Sequence, residues 1–238
     1  MKKSFVAGMI VFAVVLLTGA FAFAEDGFIN VYLTKTKELS PDKAEIVISI
    51  ETSDKSSQVA ADENKKISIN VQKKIKSIIN SQNGDYVITS NYNLSPRNEY
   101  KNGKTVFDKY VAINTITVYT RNVKNVSQIV DAAVKEGATR VSNLSFKVSD
   151  YDKACTALLS ELVAESKDRA AKLAAPAGAS VKGVKSINTN CSMQGGNSFR
   201  KVYSANALGA SAMEDTSTPI ESGKLILNAS VDVSYFLK

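Results

Sequence analysis

A chain of 238 residues without a single histidine is limited in the chemistry it can do. No imidazole is on hand for Ser-His-Asp or Cys-His nucleophilic catalysis, for a His-ligated zinc, or for an acid-base step near neutral pH. Carboxylates are the common acid-base groups that remain, and Asp150, Asp152, Glu161 and Glu165 lie close together in sequence. Such a set can hydrolyse a substrate when burial raises one pKa and the pair straddles the scissile bond. A bland reading stands beside it: Asp150 and Asp152 fall at a helix start, where the dipole and capping favour acids, and Glu161 and Glu165 fall on a charged helix face. Oxygen-only metal sites need denser clusters than the isolated pairs Asp62-Glu63 and Glu214-Asp215. Neither Gly195-Gly196 nor Ser222-Gly223-Lys224 has the neighbours of a phosphate-cradling loop. The residues therefore point to no catalytic group, no cofactor and no metal.

Two other sets of residues carry weight. Lys65, Lys66, Lys73, Lys74 and Lys76 form a dense basic group in a chain of formal charge +7. They suit an anionic lipid surface or polymer, or simply a solvated helix face. Nucleic acid is disfavoured, because the aromatics are scattered rather than interleaved with the basic residues. Cys155 and Cys191 are the only cysteines. They form a disulfide if the chain matures in an oxidising space, and are unrelated buried thiols otherwise.

The N-terminus addresses that compartment. Lys2 and Lys3 precede an apolar run from Phe5 to Leu17, and Ala22-Phe23-Ala24 stands just before Glu25-Asp26. This is the pattern of a secretory signal over residues 1–24, cut after Ala24, with an uncleaved anchor helix as the alternative. Export with cleavage places the mature chain in the periplasm or outer envelope.

The elements that must position these groups follow from periodicity. Ile29, Val31 and Leu33, then Ile46, Ile48 and Ile50, alternate as strands around a Ser40-Pro41-Asp42 turn. Ile67, Val71, Ile75 and Ile78/Ile79 recur at helical spacing in a helix started by Ser53-Asp54 and stopped by Asn83-Gly84. Strands over 86–94 and 107–120 are joined by a polar connection with Pro96 and Asn102-Gly103, as in an antiparallel pair. A short helix over 125–135 stops at Gly137, and a strand with Leu144, Phe146 and Val148 inward follows. Ser149 caps a second long helix whose inward stripe is Ala154, Leu158, Leu162 and Leu173. Cys155 near the start of that helix and Cys191 at the end of the strand 181–190 can meet. A helix of about 20 residues runs out about 30 Å and a strand of about nine returns about as far. Residues 192–219 have no period and read as a flexible loop, and the last strand alternates Leu225, Leu227, Ala229, Val231, Val233, Tyr235 and Leu237 on one face. The expected class is α+β, with amphipathic helices on one face of a mixed, largely antiparallel sheet. A recurring strand, Ser-Asp, helix, strand order hints at duplicated β-α-β units. Residues 25–238 read as one folded unit.

The string from Asp108 to Asp150 is similar to the SIMPL-domain family. Its marks are Tyr110, Ala112 and Asn114 on a strand, Asp131-Ala132-Ala133 on a short helix, Gly137-Ala138 at a turn, and Phe146 before Ser149-Asp150. The Ala-rich helix with Arg169, Ala170 and Ala171, and the end from Pro219-Ile220 onward, resemble the family too, whereas Leu94 to Tyr100 departs from it where relatives tend to place a second aromatic near Pro96. The resemblance implies an exported envelope protein. Bacterial members include immunogenic surface antigens and proteins linked to oxidative-stress tolerance, some form ring-like or channel-like oligomers, and a eukaryotic relative is a signalling adaptor. It carries over no catalytic residue. The expectation is thus a non-catalytic, homo-oligomeric envelope protein with a tie to the membrane surface and no nucleic-acid partner, its 192–219 loop a candidate contact and its ligand unknown. The alternatives are a binder of anionic lipid or polymer through the Lys65–Lys76 helix, and a carboxylate-only hydrolase.

Overall fold

The alternating strands sort into two antiparallel sheets, each with helices on one face, as the α+β expectation requires. A computed structural model describes residues 27–194 and 217–238. The signal segment with Ala22 and Ala24, and residues 195–216 of the expected loop, lie outside the described residues. The elements run β1 (Phe28–Leu39), β2 (Lys43–Asp54), α1 (Ser57–Lys76), β3 (Tyr86–Lys101), β4 (Lys104–Thr120), α2 (Val126–Lys135), β5 (Arg140–Lys147), α3 (Tyr151–Ala174), β6 (Val181–Gln194) and β7 (Leu225–Leu237). One sheet has the order β3-β4-β2-β5 and the other β1-β7-β6.

In the four-stranded sheet, Ala44, Ile46, Ile48 and Ile50 on β2 and Ile116 and Val118 on β4 point to one side. There they meet Val71 and Ile75 of α1 and Val126, Ile129 and Ala133 of α2. Each fully buried Ile or Val contributes on the order of 1.5–3 kcal/mol, so this layer accounts for much of the unit's stability. Asn64 is buried in it because its amide has partners: Nδ2 donates to the carbonyls of Ile50 (2.9 Å) and Ala112 (3.0 Å), fastening α1 across β2 and β4. Asp85, also buried, accepts from Asn80 N, Thr120 Oγ1 and Arg121 N, tying the α1–β3 turn to the end of β4.

In the three-stranded sheet, Val31 and Leu33 of β1 and Leu227, Ala229, Val231, Val233 and Tyr235 of β7 pack against Leu158, Leu162 and Ala170 of α3. The fully buried Tyr235 keeps a polar partner, its OH lying 2.7 Å from Ser166 Oγ on the buried stripe of α3. Leu173, expected inward, is more than half exposed; Ala170 and Ala174 take the buried positions of that turn instead.

Several boundaries differ from the periodicity reading. Ser56, not Ser53-Asp54, caps α1, because β2 pairs with β4 as far as Asp54; Gly84 closes a separate 3-10 turn after α1 has ended. Asp150, not Ser149, is the N-cap of α3 and makes no side-chain cap bond, while Ser149 donates its backbone N–H to Asp42 at 2.7 Å. The polar connection between β3 and β4 is strand on both sides of a two-residue turn, with Asn102 and Gly103 at φ 50° and 78°. Ser192 to Gln194, expected in the loop, pair with β7 as the end of β6. The repeated strand-helix-strand order closes within one sheet for β2-α1-β3 but passes from one sheet to the other for β5-α3-β6.

Candidate functional site

The four carboxylates do not converge. Asp150 and Asp152 sit at the start of α3, and Glu161 lies about 14–16 Å further along the helix by its rise. Glu161 is 2.5 Å from Lys35 Nζ on β1, and Glu165 is 3.7 Å from Arg169 one turn on; all four side chains are well exposed. The hydrogen bond from Lys35, with its charge, holds the Glu161 carboxyl below the usual carboxylate value, and Glu161 in turn raises Lys35. A general acid needs the opposite shift. Among the described residues no three Asp, Glu, Cys or His side chains gather as metal ligands.

The cysteines are brought together. Cys155, in the second turn of α3, and Cys191, on β6, form a disulfide with Cα atoms 6.2 Å apart. Tyr151, one turn before Cys155, donates its OH to the Cys191 carbonyl at 3.0 Å, so covalent and polar links share one seam between helix and sheet. The antiparallel return of β6 along α3 was legible from element lengths, and the geometry meets it.

The five lysines of α1 are all exposed and enter none of the ion pairs among the described residues. The buried stripe Ala60, Asn64, Ser68, Val71, Ile75 leaves Lys65, Lys66, Lys73 and Lys76 on the solvent side of the helix. Lys74 differs. It lines an open groove of about 360 Å³ between the end of α1 and the length of α2, together with Lys124, Ser127, Gln128, Asp131 and Lys135 over a floor of Ile78 and Ala132. Ser217 forms one lip. The α2 residues recur at three- and four-residue steps and so share a face. That spacing is the sequence signal for Lys124 and Lys135, which the denser lysine run of α1 overshadows.

The β3–β4 hairpin carries a run of exposed apolar and aromatic side chains. The pairing of β2 with β4 stops at Tyr110, so residues 97–109 pair only with one another. On this arm Tyr100 is 76% exposed, and Phe107, Val106 and the adjacent Leu94 and Tyr92 are also open to solvent. A two-stranded ribbon is marginal in water on its own, and β3 is in addition an unpaired sheet edge. The stretch Leu94 to Tyr100 is therefore strand, with Arg97 to Tyr100 on the arm. At the described C-terminal end of the 192–219 segment expected to make contacts, Thr218 bonds to Asp131 of α2.

Among the described residues no helix is long and apolar enough to cross a membrane. The family model SIMPL, described as a protein of unknown function (DUF541), matches residues 29–235. No curated protein matches the chain.

Proposed function

We infer that this chain, which belongs to the SIMPL family, is an exported, non-catalytic protein of the cell envelope that works by assembling with further copies of itself and by binding. The observation that carries the reading is the β3–β4 arm: a two-stranded ribbon, held at its base by Lys55 through Asp108, that exposes Tyr100, Phe107 and Val106, with Leu94 beside it on an open sheet edge. Apolar surface of this kind is costly to leave in water and is what a subunit contact would bury. The disulfide supports export, since such bonds persist in oxidising compartments. The outward, ion-paired Glu161 and Glu165 support a non-catalytic role. A part in oxidative-stress tolerance follows from the family resemblance alone.

Light scattering after size exclusion at two salt concentrations tests assembly. A salt-resistant oligomer that dissociates in Tyr100→Ser/Phe107→Ser is expected; a wild-type monomer rejects the reading. N-terminal sequencing of protein from the envelope fraction should begin at Glu25.

A second reading, a peripheral binder of anionic lipid through α1, is favoured by the four outward lysines, which enter no ion pair among the described residues. It requires vesicle binding that falls steeply with salt and is lost in Lys65→Gln/Lys66→Gln/Lys73→Gln.

A further inference from the structure

The groove between α1 and α2 gathers charge from three places in the chain. Lys74 comes from the last turn of α1, Lys124 from the 3-10 turn before α2, and Lys135 from the end of α2. Against these three ammonium groups the described lining sets one carboxylate, Asp131, and its oxygens are already engaged: Thr218 donates to it through the backbone N (3.1 Å) and through Oγ1 (2.5 Å). None of the three lysines enters an ion pair among the described residues. Among the described residues the groove thus holds an excess of positive charge within a concavity, where field lines are focused rather than spread over a convex face. Its volume of about 360 Å³ is at the lower end of what small-molecule sites occupy, about 300–1,000 Å³.

The polar groups are the right kind for one chemistry. Ser127 and Gln128 lie in the first turn of α2, which has no acidic residue, and both line the groove. A hydroxyl and an amide N–H₂ beside ammonium groups suit an acceptor-rich anion. The walls are also fixed: Asn125 Nδ2 donates to the Ile78 carbonyl at 3.4 Å across the floor, and the Asp131–Thr218 bonds hold the lip. We propose that the groove lined by Lys74, Lys124, Lys135, Ser127 and Gln128 binds a phosphate group, either of a small phosphorylated solute or of a phospholipid headgroup. This assignment does not rest on self-assembly, and it differs from the lipid-binding reading of α1 in the lysines it uses.

Titration calorimetry of the purified protein with pyrophosphate at low salt tests it. Saturable one-site binding is expected, weakened tenfold or more in Lys74→Gln/Lys124→Gln/Lys135→Gln, and less than twofold in the outward triple Lys65→Gln/Lys66→Gln/Lys73→Gln. Ser127→Glu, which puts a carboxylate in the groove without removing a lysine, should abolish binding, with an unchanged thermal transition showing that the variant folds. The second arm uses phosphatidylglycerol vesicles against phosphatidylcholine vesicles. Pyrophosphate binding without vesicle binding assigns a soluble ligand. Vesicle binding lost in the groove triple but not in the outward triple assigns a headgroup, with or without pyrophosphate binding. Equal losses in the two triples would reduce the effect to diffuse charge and overturn the proposal, as would no saturable binding in either arm. Binding that appears only in Glu214→Gln/Asp215→Asn would overturn it in favour of the chain's own carboxylates.

Discussion

Asp131 of α2 and Thr218, 87 residues later, are joined by a two-point bond in which the Thr218 backbone N–H and hydroxyl both donate to the carboxylate. The chain reaches Thr218 on the helical side of the four-stranded sheet, where Ile220 also packs, and then enters β7 in the middle of the three-stranded sheet. This contact therefore fastens the crossing between the two layers. Asp131→Ala should lower stability by about 1 kcal/mol, as expected for an exposed charged hydrogen bond. Limited proteolysis should show faster cutting between 217 and 224, and a digestion rate unchanged from the parent would refute the role.

Gly137 follows α2 at φ +104°, where L side chains rarely sit, and a Cβ there would stand 3.0 Å from Ile67 Cγ2 on α1. Gly137→Ala should cost about 2 kcal/mol, from backbone strain together with the clash. Urea denaturation of Gly137→Ala and of Gly137→Ala/Ile67→Ala separates the two. The double variant relieves the contact but not the strain, so its loss should fall short of the sum of the single losses.

The Cys155–Cys191 bond closes a separation of 36 residues, for which the chain-entropy estimate is about 4 kcal/mol. Cys155→Ser/Cys191→Ser should therefore unfold at markedly lower denaturant, while retaining the Tyr151 bond. Thiol titration of unfolded, unreduced wild-type protein should find no free thiol.

For Lys35–Glu161 the sign can be worked out from both partners. Glu161 is lowered in the folded state, so its contribution is present above the ordinary carboxylate value and is lost as pH falls through the folded value. Lys35 is raised, so its contribution is present below the ordinary amine value and is lost as pH rises through the folded value. The pair is thus complete only between these limits. Because both groups are exposed, the effect should be small and vanish in 1 M salt. The gap between the thermal transitions of wild type and Lys35→Gln should close as pH falls below the ordinary carboxylate range; a gap unchanged by acidification would contradict the ion pair as its source.

Much of this molecule can be read along the chain. The strict alternation from Leu225 to Leu237 determines which side of β7 is buried, because successive side chains of a strand point to opposite faces. The spacing of Val71 and Ile75, or of Leu158 and Leu162, likewise determines the inward face of each helix, and the string from Tyr110 to Asp150 marks the family. Asn102-Gly103 carries the signal for a tight two-residue hairpin, the turn that lets both flanking strands run on as the arm.

Partners are another matter, because periodicity says which face is apolar but not what covers it. That β1 pairs with β7, Phe28 opposite Phe236, and not with its sequence neighbour β2, was decided by long-range pairing, and it splits one expected sheet into two. Ser166, whose hydroxyl also reaches the Val163 carbonyl of its own helix, finds its partner across the layer when Tyr235 arrives from β7. Lys74 separates from the other lysines of its helix for the same reason: α2 packs beside that flank of α1 alone and brings Lys124 and Lys135 with it. Local sequence determines a residue's direction from its backbone, while the field it sits in is the sum over neighbours that only the folded chain assembles.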